Sequence, residues 1–118
     1  MGSNIDKGIL GERIAQEYLI SNGYKIRERN YRTKIGEIDI VAEKLDTLVF
    51  IEVKTRTSTN YGFPYEAVDI RKQNKIVKSS LVYMKENGIR NCQVRYDIIE
   101  VFLFDPPKIN HIENVFCI

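Results

Sequence analysis

Two β-rich runs limit the fold of this chain more closely than any other feature. They are Gly36-Glu37-Ile38-Asp39-Ile40-Val41 and Leu48-Val49-Phe50-Ile51-Glu52-Val53-Lys54-Thr55-Arg56, separated only by Ala42 to Thr47. β-Branched and aromatic residues favour strands, and so short a gap permits an antiparallel hairpin but no parallel crossover. Lys44 to Thr47 close a tight turn around Leu45-Asp46. Counting back from an even-length turn sets Asp39 opposite Glu52. Strand side chains alternate with period two, so Glu52 and Lys54 share a face. Directly opposed Cβ atoms lie about 5 Å apart. Two carboxylates at that spacing repel, and charging both is costly where water is scarce. A divalent cation between them removes the repulsion, and hard cations prefer oxygen ligands. The lysine on the same face then meets an anionic substrate. The alternative reading of these residues alone is a structural ion-pair cluster of Asp39, Glu52 and Lys54.

The flanking sequence reads as helix, three strands, helix, two strands. Ile5 to Ser21 forms the first helix and stops at Asn22-Gly23, residues that tolerate the left-handed conformation of a helix end. Tyr24 to Tyr31 is a first strand, followed by the two motif strands. Thr57 to Pro64 is a polar loop. Glu66 to Asn87 is a second helix, ended by Asn87-Gly88. Cys92 to Leu103 is a strand stopped by Asp105-Pro106-Pro107, and Ile112 to Phe116 is a short last strand. The fold class expected is α/β, a mixed central sheet flanked by helices.

At 118 residues with 43% hydrophobic content, the chain suits one domain spanning residues 1–118 with its own core. No apolar run approaches a membrane span, and the N-terminal residues lack the plan of a secretory signal. The single histidine, His111, excludes mechanisms that need two. The two cysteines, Cys92 and Cys117, lack metal-ligand spacing and read as structural thiols of a reducing cytoplasm. A cytoplasmic location without a membrane partner is therefore expected. The net charge of +2 says nothing about nucleic acid, but its distribution does. Lys25 to Lys34 carries five basic residues against one acid, Glu28, and Ile70 to Lys85 carries five and no acid.

On the first helix, Gly8, Glu12, Ala15 and Leu19 fall along one stripe. Glycines at 8 and 11 would let that helix approach the sheet closely, which would bring Glu12 to the Asp39/Glu52 pair. Glu12 reads equally as a charge at the edge of the stripe. On the second helix, Ile70, Val77, Leu81 and Met84 make an apolar side. Arg71, Lys75, Lys78 and Lys85 make a basic stripe nearly opposite, which is either a phosphate-holding or a solvated face. Gln73 lies at the apolar boundary, where it would turn toward the acids. Tyr61 and Phe63 in the polar loop are placed either to stack on bases or to pack on the domain.

The order Glu12, Asp39, Glu52-Val53-Lys54, then a crossover helix resembles the PD-(D/E)XK nucleases. The proline of that signature is absent, since Ile38 precedes Asp39. Within that superfamily the chain is similar to the archaeal Holliday junction resolvases, and more closely to the uncharacterised bacterial YraN-like family. The latter resemblance runs across most of the chain. It includes Gly8-x-x-Gly11-Glu12-x-x-Ala15, Tyr18-Leu19, Gly23-Tyr24, Asn30-Tyr31-Arg32, Gly36-Glu37-Ile38-Asp39, Phe50 to Arg56, Lys72-Gln73 and Arg95-Tyr96-Asp97.

The resemblance implies a restriction-endonuclease-like core and metal-dependent cleavage of phosphodiester bonds, with DNA foremost as substrate, branched or repair-intermediate DNA included. Asp39 and Glu52 would ligate Mg²⁺ or Mn²⁺, with the Val53 carbonyl as a further ligand. Glu12 would ligate a second ion or orient water. Lys54 would orient the attacking water or stabilise the transition state. Lys34, Arg56, Arg71, Lys75 and Lys78 would hold phosphates, and Thr55 and Gln73 would support the site. Glu37 shares a face with Asp39 and is an extra ligand candidate; Arg95-Tyr96-Asp97 has no assigned role. Two further readings stand beside the nuclease. One is a nucleic-acid binding module on the same scaffold without efficient catalysis. The other is a partner-dependent accessory subunit. A homodimer is compatible with all three.

Overall fold

In the computed structural model, which describes residues 4–57 and 68–116, the motif hairpin is the centre of the molecule. Helix α1 (Asn4–Ser21) leads into strands β1 (Lys25–Arg32), β2 (Glu37–Lys44) and β3 (Thr47–Arg56); helix α2 (Ile70–Glu86) and strands β4 (Gln93–Phe102) and β5 (Lys108–Phe116) follow. All five strands form one sheet in the order β1-β2-β3-β4-β5. Pairing is antiparallel except between β3 and β4, which run parallel from Thr47/Gln93 to Arg56/Phe102. Parallel neighbours need a long crossover, and α2 lies within it. The fold is the expected mixed α/β arrangement in the order α-β-β-β-α-β-β, compatible with a restriction-endonuclease-like core.

Period-two alternation on β3 sorts the helices onto opposite faces. Val49, Ile51 and Val53 pack with Ala15 and Leu19 of α1 and with Ile99 and Val101 of β4. Leu48 and Phe50 pack with Ile76 and Tyr83 of α2 and with Tyr96 and Ile98 of β4. A strand buried on both faces reads as a near-continuous hydrophobic run, which explains why only Glu52 interrupts the apolar residues from Leu48 to Val53. The turn is the tight one expected, with Lys44 paired to Thr47. Its first central residue, Leu45, takes φ 55, a conformation uncommon outside glycine.

The second helix differs from its sequence pattern. It begins at Ile70, and the Asp69 side chain caps it by accepting from the Lys72 N–H at 2.9 Å. The expected first residues, Glu66 and Ala67, fall outside the described residues, as do Tyr61, Phe63 and Cys117. Its buried face is Ile76, Ser79, Ser80 and Tyr83, whereas Ile70 and Leu81 are 69% and 47% exposed. Hydrogen bonds explain this rotation. Ser80 Oγ pairs with Tyr96 OH at 2.7 Å, Ser79 Oγ with Thr33 Oγ1 at 3.1 Å, and Tyr83 OH accepts from Arg27 Nε at 3.0 Å. Buried polar groups with partners are tolerated, and small serines let the helix sit close to the sheet. The glycines of α1 also divide. A Cβ on Gly11 would collide with Thr55 Oγ1, so this residue makes the close approach, while Gly8 faces open space. No helix among the described residues is long and apolar enough to cross a membrane.

Candidate functional site

Backbone pairing of β2 with β3 runs from Lys44/Thr47 to Ile40/Ile51. The next positions on that register are Asp39 and Glu52, as the hairpin arithmetic requires. There a side chain takes over the cross-strand bonding: Asp39 Oδ2 accepts the Val53 N–H at 2.8 Å. Both acids are 9% exposed. Burial and the neighbouring Asp39 push the Glu52 carboxyl up to about 8. The pair is thus held together at the cost of keeping a proton.

Two lysines oppose this. Lys54 shares the Glu52 face of β3, and Lys72 reaches from α2 to place Nζ 3.4 Å from Glu52 Oε1. Burial and the adjacent Lys72 lower the Lys54 ammonium, against the attraction of Glu52 and Asp39. Burial pulls Lys72 down, but Glu52, Lys54 and Asp39 together outweigh it and the net shift is upward. Glu12 arrives from α1, carried to the sheet by the Gly11/Thr55 contact. Burial and Asp39 raise its carboxyl, against a hydrogen bond from the Asn30 side chain. The five ionisable groups Glu12, Asp39, Glu52, Lys54 and Lys72 therefore form one electrostatic unit. Among the described residues, no group of three or more histidines, cysteines, aspartates or glutamates is close enough to hold an ion alone.

Other expected site residues lie at varied distances from this unit. Thr55 supports it through Gly11. Glu37 is exposed and ion-pairs with Arg32 at 3.5 Å. Arg71 and Lys75 line a groove together with Lys72, Gly36 and Glu37; Lys34 and Lys78 are exposed. Two residues point elsewhere. The Gln73 amide donates to the Val68 carbonyl at 2.9 Å, fastening the start of α2 instead of turning to the acids. Arg56 is only 12% exposed and ion-pairs with buried Glu100 at 3.2 Å, so it braces β3 against β4. Asn110 completes Glu100 from β5 at 3.0 Å.

Arg95 and Asp97 make a separate structural knot on the α1 face, while Tyr96 between them packs on the α2 face. Asp97 accepts from Arg95 at 2.9 Å, from the Asn114 N–H at 2.9 Å, and bonds His111 Nε2 at 2.6 Å. His111 Nδ1 meets Tyr18 OH at 2.9 Å, and Arg95 reaches Tyr24 OH at 2.6 Å. His111 and the motif thus join β4, β5 and α1.

Sequence reasoning missed Lys72, Glu100 and Asn30. Each had a signal. Lys72-Gln73 and Asn30-Tyr31-Arg32 were parts of the family resemblance, and Glu100 is an acid inside the apolar run Ile98 to Phe102.

Comparison with known proteins yields one family. The family described as "Uncharacterised protein family UPF0102" matches residues 11–101. A UPF0102 protein of Caldanaerobacter subterraneus subsp. tengcongensis is 51% identical over 113 residues, covering 92% of this chain and 93% of the relative. One of Clostridioides difficile is 46% identical over 114 residues, covering 97% and 99%. One of Persephonella marina is 46% identical over 110 residues, covering 93% and 92%.

Proposed function

This chain belongs to the uncharacterised protein family UPF0102, and we propose that it is a divalent-metal-dependent endonuclease acting on nucleic acid, DNA foremost. The observation that carries this reading is the Asp39/Glu52 pair. A cluster built only for stability would neutralise its buried charges. Here two buried carboxylates meet on adjacent strands, and Glu52 is pushed up to about 8 even with Lys54 and Lys72 beside it. Perturbed acids of this kind concentrate at functional sites.

The donor set suits Mg²⁺ or Mn²⁺. Magnesium is commonly bound by one or two carboxylates, its other positions going to water and substrate phosphate, so a third close acid is not required. Asp39 and Glu52 would hold the ion, with the Val53 carbonyl as a further oxygen. When bound, such an ion lowers the pKa of water and neutralises charge developing on phosphate. The chain's own groups supply the rest. Lys54, on the Glu52 face, orients the attacking water and faces the anionic transition state. Lys72 balances Glu52 while the site waits for an ion. Glu12, with its raised carboxyl, positions water beside Asp39. Arg71, Lys75 and Lys34 hold flanking phosphates, contacts that position a strand without reading its sequence.

One observation favours a second reading, a binding module without efficient catalysis. Lys72 already satisfies Glu52 at 3.4 Å, as a retired site would be stabilised. Substituting Asp39→Ala separates the two readings. The nuclease reading expects loss of cleavage with the circular dichroism spectrum retained, and cleavage that survives in the purified variant refutes it.

A further inference from the structure

A second groove lies between α1 and β1. It is lined by Ile9, Glu12, Arg13 and Gln16 of α1 and by Arg29 and Asn30 of β1. Glu12 belongs to this groove and acts on Asp39; Lys72 belongs to the α2 groove and binds Glu52. Glu12 thus links one groove to Asp39, and Lys72 links the other to Glu52.

We propose that the α1/β1 groove seats the nucleic-acid backbone adjoining the scissile phosphate. One strand then runs from Arg13 and Arg29 across Asp39 and Glu52 to Arg71 and Lys75, with Asn30 positioning Glu12. This inference rests on the nuclease reading above.

Three observations carry it. First, Arg27, Arg32, Arg56 and Arg95 are committed to ion pairs with acids, whereas among the described residues Arg13, Arg29, Arg71 and Arg90 make none, and all of these except Arg90 line one of the two grooves. Guanidinium groups left without carboxylates match phosphate bidentately. Second, β1 is an edge strand, so the groove opens along its length with no strand beyond it. The β1/β2 pairing shifts between Ile26 and Glu28; such bulges re-aim side chains next to functional sites. Arg27 turns to Glu43 and Tyr83 while Arg29 lines the groove. Third, Asn30 takes φ 50 within the strand and lines the groove together with Glu12. Backbone strain of this kind persists where the surroundings fix it, and it clusters at working sites. The groove thus contains two cations without ion pairs and one amide on the same wall as an acid of the site.

The test reads binding and cleavage separately. Arg13→Ala/Arg29→Ala is compared with Arg90→Ala/Lys108→Ala, which removes equal charge from exposed positions outside both grooves. The probe is a labelled mixed-sequence single-stranded oligonucleotide titrated in chelator over a salt series. The groove variant is expected to bind about tenfold more weakly, with a log–log salt slope reduced by about 1.4 for two lost phosphate contacts, and the control to change by less. Equal losses in both variants, or no loss in either, overturn the groove assignment. Asn30→Gly keeps the positive φ accessible and removes the amide. It is expected to slow cleavage without changing affinity, and to add nothing when combined with Glu12→Gln. Full additivity, or an unchanged rate, overturns the positioning role. If no substrate is cut but the groove variant alone loses binding, the nuclease reading fails and the track stands. If cutting occurs and both double variants bind alike, the track fails and the nuclease stands.

Discussion

Asp39 reaches across the hairpin to accept the Val53 N–H at 2.8 Å, just beyond the last backbone pair, Ile40 and Ile51. This bond fixes one carboxylate beside the other on adjacent strands. Asp39 is therefore part of the sheet's own hydrogen bonding, while Glu52 has Lys72 as its partner on α2. The mobile charge of the site is Glu52.

Its consequence for stability follows from the direction of the shift. Glu52 rises from 4.5 to about 8 in the folded chain, so between those values the unfolded chain has released a proton that the folded chain retains. Stability in chelator falls as pH rises across that window and is fully lost, as far as this group contributes, above about 8. Glu52→Gln removes the dependence. It is expected to be more stable than the unsubstituted chain at the alkaline end and equally stable near the acid end. Urea midpoints measured across the pH range check this; a variant less stable throughout contradicts it.

The two glycines of α1 predict opposite outcomes for the same change. Gly11→Ala drives a Cβ into Thr55, whose Cβ and Cγ2 also stand 3.1 and 3.2 Å away, so rotating the threonine does not clear the clash. Overpacking of this kind costs about 1–3 kcal/mol, and Glu12 moves with the helix. Gly8→Ala meets open space and gains helix propensity of about 1 kcal/mol. Thermal melts of both variants should move in opposite directions.

The Asp97 knot predicts a loss without a site effect. Burial raises the Asp97 carboxyl, but His111, Arg95 and the Asn114 N–H outweigh it and the net shift is below the ordinary 3.8. The stabilisation is present above that value and disappears as pH falls through the lower, folded one. Asp97→Ala removes the buried acceptor shared by His111, the Asn114 N–H and Arg95, while Arg95 keeps Glu113, and should cost about 1–3 kcal/mol for each donor left unsatisfied. At temperatures where the variant is folded, nucleic-acid affinity should be unchanged, since no residue of the knot lines either groove.

The hairpin and the acid pair were legible in sequence because both rest on local rules: a period of two and a turn of fixed length. Glu12 was legible through its place on the stripe of Gly8, Ala15 and Leu19, although the close approach is made by Gly11 and not by Gly8. The buried face of α2 was not, because its orientation comes from hydrogen bonds to other elements. Ser80 is buried for Tyr96, and Tyr83 for Arg27; apolar periodicity cannot see either partner. Arg56 was read as a phosphate contact because its partner arises only from the parallel β3/β4 register, which sets Glu100 opposite Lys54. Lys72 was hidden in a helix that looked uniformly basic. Its selection over Lys75 depends on where Asp69 caps the helix.

The most direct measurement is cleavage of a labelled panel of single-stranded, duplex, flap and four-way-junction DNA, in Mg²⁺, Mn²⁺ or chelator, by the unsubstituted chain beside Glu52→Ala. The account predicts cutting that requires the metal and disappears in the variant. No cutting of any substrate in either metal, or cutting that Glu52→Ala retains, would contradict it.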